Sequence, residues 1–234
     1  FSKKFKNIKI FCTGLNLGYS GGNNFGLNKV KTNYALILSP DVICSKNFFQ
    51  KLNNNLNNIK NFHLIGCNDS KTNNIYSAGY FNKDKQQNFL KKGNLNKKVD
   101  LIKVDWIKGF SIIVNLKNFK SRNIFDKNYF LFMEEIDLCR SVNKRGGNIY
   151  FAKNLIVQHL GFKSSSVKSY SEKQNLLKLK NWHYMWSSFY YYKKNFSFIF
   201  AFRKMFFKLF KSFIKLIFYY LTFQKIKRDK YKSR

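Results

Sequence analysis

The first part of this chain alternates short apolar runs with longer segments in which apolar and polar residues are mixed. Apolar runs of this length, bounded by polar residues, are typical of buried strands, and they predict strands at residues 8–12, 34–38 and 62–67. Between them, a loop that leads into a helix is predicted at 21–31 and a polar helix at 46–58. This alternation indicates an α/β fold, in which we expect a largely parallel sheet flanked by helices.

The pattern is looser in the middle of the chain. The polar residues 82–98 predict a mobile loop. The later elements are four strands and one helix that ends at a pair of glycines; in chain order they are strands at 99–106 and 110–114, a helix at 134–144, and strands at 148–151 and 155–159. Together with the earlier elements they form the first predicted domain, residues 1–169.

The remaining residues, 170–234, differ in composition. Residues 170–194 are helix-like and rich in aromatic side chains, and residues 196–223 are almost wholly apolar apart from spaced basic residues. Four lysines would share one stripe of a helix: Lys204, Lys208, Lys211 and Lys215. A membrane span needs about 20 residues without such charges, so we expect this region to lie on the membrane, its stripe facing anionic headgroups. A helix packed on the core and a tilted or re-entrant insertion stay open.

The composition is strongly basic, with 44 Lys+Arg against 11 Asp+Glu and a formal net charge of +33. Such a charge is compatible with an anionic partner, either nucleic acid or an acidic membrane surface. It is equally compatible with a general over-use of lysine and asparagine, which we take to supply most of it. Because the basic residues are spread along the chain and arginine is scarce, no nucleic-acid partner is expected. A basic nucleic-acid-binding protein stays as the alternative function.

The four cysteines are widely spaced and form no CxxC or Cys/His ligand pattern. This usage is typical of reduced thiols in a cytosolic protein. No signal-peptide pattern is present, and the chain begins at Phe1. With the basic and aromatic C-terminal region, this predicts a cytoplasmic protein that is peripheral on the inner face of the cell membrane.

Acidic residues are scarce, and three of the eleven fall close together: Glu134, Glu135 and Asp137. Crowded carboxylates beside apolar rings raise one another's proton affinity, which suits a general base. Acids in the first turn of a helix also favour the helix dipole, which explains one or two of the three without any catalytic role. Their position therefore indicates a catalytic cluster more strongly than a helix start.

Asp41 follows the predicted strand 34–38, after Ser39 and Pro40. The carboxyl end of a strand is where open α/β sheets bind their ligands, and an Asp there can hold Mg²⁺ or Mn²⁺ on a diphosphate. The alternative is a helix cap before Lys46. His159 also ends a predicted strand and is a candidate metal or phosphate ligand, although a lone His is usually structural.

A turn rich in glycine and asparagine spans residues 16–26, between a predicted strand and a predicted helix. Such a turn brings the backbone close to a ligand and directs N–H groups at phosphate. It is neither a P-loop nor a dinucleotide motif, and a plain tight turn stays open. Its candidate ligand residues are Asn16, Gly22 and Asn24.

These motifs occur in the order found in family 2 glycosyltransferases. They comprise residues 16–26, Ser39-Pro40-Asp41, 106–109, 125–126, 130–140 and 159–165. Over about residues 12–195 the chain resembles the rhamnosyltransferase-like branch of that family, which builds bacterial surface polysaccharides. The resemblance implies a GT-A fold, which is Rossmann-like. It also implies a divalent cation (Mg²⁺ or Mn²⁺), a dTDP-, UDP- or GDP-sugar donor, a glycan or lipid-linked acceptor, and inversion at the anomeric carbon.

The resemblance also implies roles for individual residues. Glu135 would be the general base, with Asp137 as its catalytic companion supporting that helix together with Arg140. Asp41 and His159 would hold the metal on the diphosphate. The donor and its diphosphate would contact Asn16, Gly22, Asn24 and Ser39, and the acceptor cleft would include Trp106, Gly109, Glu134 and Arg140.

Two departures from the family pattern affect these expectations. Ser39 stands where the family often has Asn, which leaves the metal ligand Asp41 intact. The family's opening strand and first acidic turn, which hold the nucleotide base, would precede Phe1. We therefore expect residues 1–169 to be a GT-A-like domain without its first strand–helix unit. If that unit is absent from the whole protein, the domain lacks half of its donor site and is expected to be inactive alone. An inactive glycosyltransferase remnant is a further alternative.

Overall fold

The computed structural model describes residues 7–59, 61–71, 77–92, 100–161 and 169–222. These residues form six α-helices and eight β-strands in a mixed α/β arrangement. In chain order the elements are α1 (Gly18–Leu27), β1 (Tyr34–Leu38), β2 (Val42–Cys44), α2 (Phe48–Asn58), β3 (Leu64–Asp69), β4 (Ala78–Gly79), α3 (Lys83–Lys92), β5 (Leu101–Lys103), β6 (Trp106–Ile107), β7 (Ser111–Asn115), α4 (Glu134–Lys144), β8 (Ile149–His159), α5 (Tyr170–Asn195) and α6 (Phe198–Leu221).

The main sheet has the strand order β1-β7-β3-β8-β2, and β5 also pairs with β8. Within the described residues, one neighbouring pair of this sheet, β3 with β8, is parallel, and the other four are antiparallel. The sheet is therefore mixed rather than largely parallel as the sequence predicted. The difference arises because β7 inserts between β1 and β3, and strand order is invisible in a hydrophobic pattern.

The strands β1, β3 and β8 nevertheless run in the same direction. β1 and β3 are each antiparallel to β7, and β3 is parallel to β8. Their carboxyl ends therefore meet at one edge of the sheet, as expected for strands that alternate with helices. This edge carries the candidate site.

The predicted strands 148–151 and 155–159 are one continuous strand, β8. The register against β3 shifts between Cys67 and Asn68, whose partners on β8 are Ala152 and Ile156. The Asn68 side-chain amide donates to the backbone carbonyl of Lys153 over 3.0 Å and so satisfies the displaced backbone. The irregularity interrupts the apolar pattern without ending the strand.

Two other predictions were wrong in the described residues. Residues 8–12 form no strand, and Ile8, Ile10 and Phe11 are exposed; an apolar run becomes a strand only where a neighbour pairs with it. Part of the predicted loop is the helix α3, which begins where Asn82 Oδ1 accepts the backbone N–H groups of Asp84 and Lys85. Residues 93–98 of that loop lie outside the described residues.

Hydrophobic cores cover both faces of the sheet. On β7, Ile112 and Val114 point to the face covered by α1 and α4, and Ile113 points to the face covered by α2. Leu27 of α1 and Phe48 of α2 are fully buried in these two cores. The alternation along β7 follows from the two-residue repeat of a strand, and it produces a helix–sheet–helix sandwich.

The helices α5 and α6 match the segments predicted at 170–194 and 196–223 within a few residues. α5 begins at a capping box, in which Ser169 Oγ accepts the Glu172 N–H and the Glu172 carboxylate accepts the Ser169 N–H. Ser197 caps α6 in the same way by accepting the Phe200 N–H. No helix in the described ranges is long and apolar enough to cross a membrane.

Candidate functional site

A cleft of about 710 Å³ lies at the sheet edge where β1 and β8 end. Its walls come from the start of α1, the tripeptide after β1, residues 130–132 before α4, the end of β8 and the first half of α5. Of the predicted site residues, Asn16, Ser39, Asp41 and His159 line it. The cleft therefore brings together side chains from five separate parts of the chain.

Asp41 and His159 face each other in this cleft, with 3.4 Å between Asp41 Oδ1 and His159 Nε2. Strand β2, which directly follows Asp41, pairs with the end of β8, so that Val42 lies opposite His159. Phe110 stacks on the imidazole with 5.2 Å between ring centroids. The Asp41 side chain is 8% exposed and that of His159 33% exposed, so the carboxylate is sheltered while the imidazole reaches the solvent.

Asp69, at the end of β3, is a site residue that the sequence reasoning missed. It is buried, and its Oδ1 accepts the backbone N–H of His159 over 3.1 Å and that of Lys71 over 3.2 Å. It thereby fixes the backbone that carries His159. The strand-end position that singled out Asp41 would have identified Asp69 as well, because β3 was predicted correctly.

The Asp41–His159 pair fits part of a cation site. Two ligand atoms that each lie about 2.1 Å from one ion, with a ligand–ion–ligand angle between the octahedral and tetrahedral values, are about 3.0–3.4 Å apart. The observed distance between Asp41 Oδ1 and His159 Nε2 is 3.4 Å. No group of three or more His, Cys, Asp or Glu side chains that could hold a metal occurs among the described residues. Two protein ligands suffice for Mg²⁺ or Mn²⁺ when substrate phosphate and water complete the coordination.

The glycine-rich segment forms the start of α1 rather than a loop. Gly18 has φ +67°, and a Cβ there would lie 2.3 Å from the carbonyl oxygen of Phe130, so a side chain is excluded. Asn16 Oδ1 accepts the Gly18 N–H over 3.1 Å, and the Tyr19 N–H donates to the Phe130 carbonyl over 2.8 Å. This packing holds the segment before α4 against the start of α1.

Two predicted donor contacts lie elsewhere in α1. Asn24 is buried, and its side-chain amide exchanges hydrogen bonds of 2.8 and 3.0 Å with the backbone of Phe125. Gly22 is not among the residues that line the cleft. Asn24 therefore holds the chain before the acidic cluster, and it is not among the residues that line the cleft either.

The acidic helix α4 follows two strained residues. Phe132 and Met133 have φ of +72° and +68°, and they are the only non-glycine residues with positive φ in the described part of the chain. Such backbone costs about 1–3 kcal/mol per residue and is concentrated at functional sites. It turns the chain sharply from the cleft, which Phe132 lines, into the first turn of α4.

Glu134 and Glu135 lie in that first turn, behind Tyr19. Burial of each carboxyl raises the pKa of both residues, and the charge of Glu135 raises that of Glu134 further. The Tyr19 hydroxyl donates to the Gly109 carbonyl, and burial followed by the charges of both glutamates raises its pKa as well. A Cβ on Gly109 would lie 3.2 Å from this hydroxyl and 3.5 Å from Glu135 Cβ.

Tyr19 therefore connects the cleft, which it lines, to the glutamate pair and to Gly109. Glu134 and Glu135 are not themselves among the residues that line the cleft. Tyr19 belongs to the glycine-rich motif of residues 16–26, but the sequence predicted no role for it. A tyrosine between asparagine and glycine residues carries no distinctive pattern, and only its neighbours in space show its position.

The other three predicted residues of this region lie away from the cleft. Asp137 is buried and bonded to Lys194 and Asn195 at the end of α5 and to Tyr129. The Arg140 guanidinium lies between two aromatic rings, at 5.0 Å from that of Phe81 and 4.5 Å from that of Phe196.

Trp106, the third of these residues, donates a hydrogen bond from Nε1 to the Tyr80 carbonyl. Asp137 and Arg140 therefore join α4 to the end of α5 and to Phe196, which follows it. The acceptor-cleft contacts expected for Arg140 and Trp106 are absent from the cleft described here.

No protein-family model matches the chain, and no curated protein matches it.

Proposed function

We propose that this protein is an inverting glycosyltransferase of the GT-A type, which transfers a sugar from a nucleotide-sugar donor to a hydroxyl of a glycan or lipid-linked acceptor. The proposal is supported by the ordered motifs that resemble family 2 glycosyltransferases and by the cleft that unites several of them. The single observation that carries it is the pairing of Asp41 with His159, 3.4 Å apart, in a cleft shared with Tyr19.

The shared direction of β1, β3 and β8 adds support. Asp41, Asp69 and His159 stand at the carboxyl ends of these strands, at the edge where open α/β sheets bind nucleotides and phosphates. The position of the cleft at this edge therefore supports the proposed diphosphate site. This support comes from the position of the cleft in the fold. It holds although most neighbouring strands of the sheet are antiparallel rather than parallel.

In the proposed reaction, Glu135 takes the proton from the acceptor hydroxyl while the hydroxyl oxygen forms a bond to the anomeric carbon. The bond from that carbon to the diphosphate oxygen breaks, and the nucleoside diphosphate leaves with the electron pair. Attack from the side opposite the leaving group inverts the anomeric centre. Asp41 and His159 would hold a divalent cation, which supplies positive charge against the departing diphosphate.

The environment of the glutamate pair suits this division of roles. Because two buried neighbouring carboxyls cannot both ionise easily, the pKa of both glutamates is raised, to about 8 for Glu134. The Glu134 Oε2 atom is buried without a hydrogen-bond partner among the described residues, which favours the protonated form on Glu134. Glu135 then remains ionised as the base, and its backbone neighbours and Lys108 stabilise that charge.

We also propose that α6 lies on an anionic membrane surface at the inner face of the cell membrane. Only three α6 residues, Ala201, Met205 and Ser212, are buried in the described structure. The exposed side is apolar: Ile199, Phe202, Phe206, Phe207, Phe210, Phe213, Ile214, Ile217, Phe218 and Leu221. A contiguous apolar surface of this extent marks an interaction site.

Basic residues border that apolar side and indicate the partner's charge. Arg203 and Lys204 line a groove of about 560 Å³ together with Phe200 and Phe207. Of the predicted lysine stripe, Lys208 is turned towards α5, with its ammonium 3.9 Å from the Tyr184 ring centroid. An apolar face bordered by cations is the pattern of a helix that lies at the level of anionic headgroups.

The test is turnover of nucleotide sugars by the full chain. The protein is incubated with Mn²⁺ and a panel of UDP-, GDP- and dTDP-sugars, with water as acceptor, and nucleoside diphosphate release is measured. Proton NMR of the freed sugar gives its anomeric configuration. We expect release from at least one donor, with inversion. The nucleic-acid alternative would instead be favoured by two results together. The wild type would release nucleoside diphosphate no faster than Glu135→Gln for every donor, and it would bind single-stranded RNA in a salt-dependent way.

A further inference from the structure

One wall of the cleft comes entirely from α5, and the sequence analysis gave it no role. Leu176, Leu179, Lys180 and His183 line the cleft at spacings of three, one and three residues, which places them on a single face of the helix. We call these four residues the α5 wall. It combines one cation, one imidazole and two apolar side chains.

His183 is the most buried member of the α5 wall, at 8% exposed. Its ring stacks on Phe130 with centroids 4.5 Å apart, and Trp182 meets it edge-on at 5.0 Å. Its Nδ1 atom is buried and has no hydrogen-bond partner among the residues that the structure describes. Nε2 lies on the opposite edge of the ring, which is the edge left to face the cleft.

The proton of this imidazole is best placed on Nε2. A buried N–H without an acceptor is rarer and more costly than a buried lone pair without a donor, so Nδ1 is assigned as unprotonated. Burial lowers the pKa of His183, which favours the neutral ring. His183 thus presents an N–H donor to the cleft without adding a charge.

The α5 wall is held rigidly in place. Ser187 Oγ donates to the Leu131 carbonyl over 2.8 Å, and Lys194 is ion-paired with Asp126 and Asp137 at the far end of the helix. A preformed wall binds a ligand without first having to be ordered. The stacking on Phe130 likewise fixes the position of the His183 ring.

We propose that the α5 wall binds the phosphate of a lipid-linked acceptor, with the Lys180 ammonium and the His183 Nε2–H on phosphate oxygens and the two leucines against the first carbons of the lipid. This deepens the proposed function by choosing the lipid-linked acceptor over a free glycan. The apolar surface of α6, which packs on α5, places such an acceptor within reach of the membrane that would hold its tail.

The test is a titration followed by imidazole NMR, since the chain has only three histidines. The probes are farnesyl diphosphate, farnesol and inorganic pyrophosphate, each with a chelator present so that Asp41 and His159 hold no cation. We expect farnesyl diphosphate to shift the His183 signals and to bind at least about tenfold more tightly than pyrophosphate, because the leucines bury apolar carbon. His63, packed against Phe119, is the internal reference and should not shift.

Variants identify the groups responsible. Lys180→Gln should weaken farnesyl diphosphate binding about tenfold or more, since a charge-assisted contact is lost, whereas Lys178→Gln, a matched change at an exposed lysine of α5, should leave it unaltered. His183→Phe keeps a ring on Phe130 and removes both nitrogens, so it should also weaken binding. If His183→Phe melts at a lower temperature than wild type, the affinity for farnesyl diphosphate is measured in His183→Gln, which has a polar side chain.

Three outcomes would overturn the assignment. They are equal affinity for pyrophosphate and farnesyl diphosphate, unchanged affinity in both the Lys180 and His183 variants, or shifts at His159 in place of His183. Because the titration contains neither nucleotide nor free cation, a negative result here leaves nucleotide-sugar turnover unaffected, and the two proposals fail separately.

Discussion

The Lys194 ammonium lies 2.6 Å from Asp137 Oδ2 and joins the end of α5 to the acidic helix α4. The same ammonium lies 2.7 Å from Asp126 Oδ2. Asn195 and Tyr129 donate further hydrogen bonds to Asp137 Oδ1. This clamp sets the position of the α5 wall relative to the strained turn and the glutamate pair, so Asp137 acts here through the scaffold.

The clamp predicts a specific loss of stability. Lys194→Met leaves the buried Asp137 carboxylate without its cation, which should lower the free energy of unfolding by about 2–3 kcal/mol. Urea unfolding measured by circular dichroism gives this value. Lys193→Met, at the exposed neighbouring lysine, is the matched control and should change stability by less than about 0.5 kcal/mol. Equal effects of the two substitutions would mean that the clamp contributes nothing.

Glu135→Gln should abolish sugar transfer while the fold survives. The amide is nearly isosteric with the carboxylate but cannot take the acceptor proton, and loss of a general base costs about 10²–10⁴ in rate. Turnover of the active nucleotide sugar and the melting temperature are measured together. Asp84→Asn, at an exposed acid in the first turn of α3, is the control and should retain full activity. Near-normal turnover in Glu135→Gln would refute the base assignment.

Asp41→Asn should remove cation-dependent binding of the nucleoside diphosphate. The substitution keeps the side-chain shape and deletes the charge that a hard cation needs. Calorimetric titration with the diphosphate of the active donor, with Mn²⁺ and with chelator, should show cation dependence in the wild type only. Asp105→Asn, at an aspartate that accepts a hydrogen bond from the Phe81 N–H and is not among the residues lining the cleft, serves as control. Cation dependence that persists in Asp41→Asn would place the cation elsewhere.

Glu134 predicts a pH dependence of stability. Its pKa is raised in the folded state, so the folded chain holds this proton more tightly than the unfolded chain does. The resulting stability is complete below the unfolded value near 4.5 and is lost as pH rises through the raised folded value.

Glu134→Gln should therefore gain stability relative to wild type as pH rises, by up to about 1.4 kcal/mol per pH unit. Thermal melts of the two proteins measure this difference. The comparison of the two proteins removes the contributions of His63 and His183, whose pKa values are lowered and which act in the opposite direction. If the stability difference between the two proteins did not change with pH, a raised pKa of Glu134 in the folded chain would be contradicted.

The exposed face of α6 predicts binding to anionic vesicles. Phe206→Ser combined with Phe210→Ser removes two exposed rings, each of which contributes roughly 1.5–3 kcal/mol when it is buried in lipid. Co-sedimentation with vesicles containing phosphatidylglycerol should fall at least about tenfold relative to wild type. Phe49→Ser, at an exposed phenylalanine of α2, is the control, and vesicles of phosphatidylcholine alone should bind the wild type more weakly.

The sequence predicted the elements better than their arrangement. β1, β3, α2, α4, α5 and α6 lie close to the predicted ranges because each carries its own repeat of apolar residues or its own cap. β2 has three residues and no distinct pattern, yet its pairing with β8 is what brings Asp41 to His159. α3 was taken for a loop because its residues are polar, and residues 8–12 were taken for a strand because they are apolar.

The candidate site divides in the same way. The sequence by itself determined which residues are chemically scarce and where they stand on their elements: Asp41 and His159 at strand ends, and the glutamate pair at a helix start. Local pattern suffices for these positions, because a strand or helix start depends on a few consecutive residues.

Only the tertiary structure decided which of these residues meet. It joined Asp41 to His159, enclosed Asp137 beside Lys194 instead of in the cleft, and added Asp69, Tyr19 and the α5 wall. The physical reason is that strand order, register and helix docking depend on contacts between residues far apart in the chain. No single segment carries the pattern of those contacts.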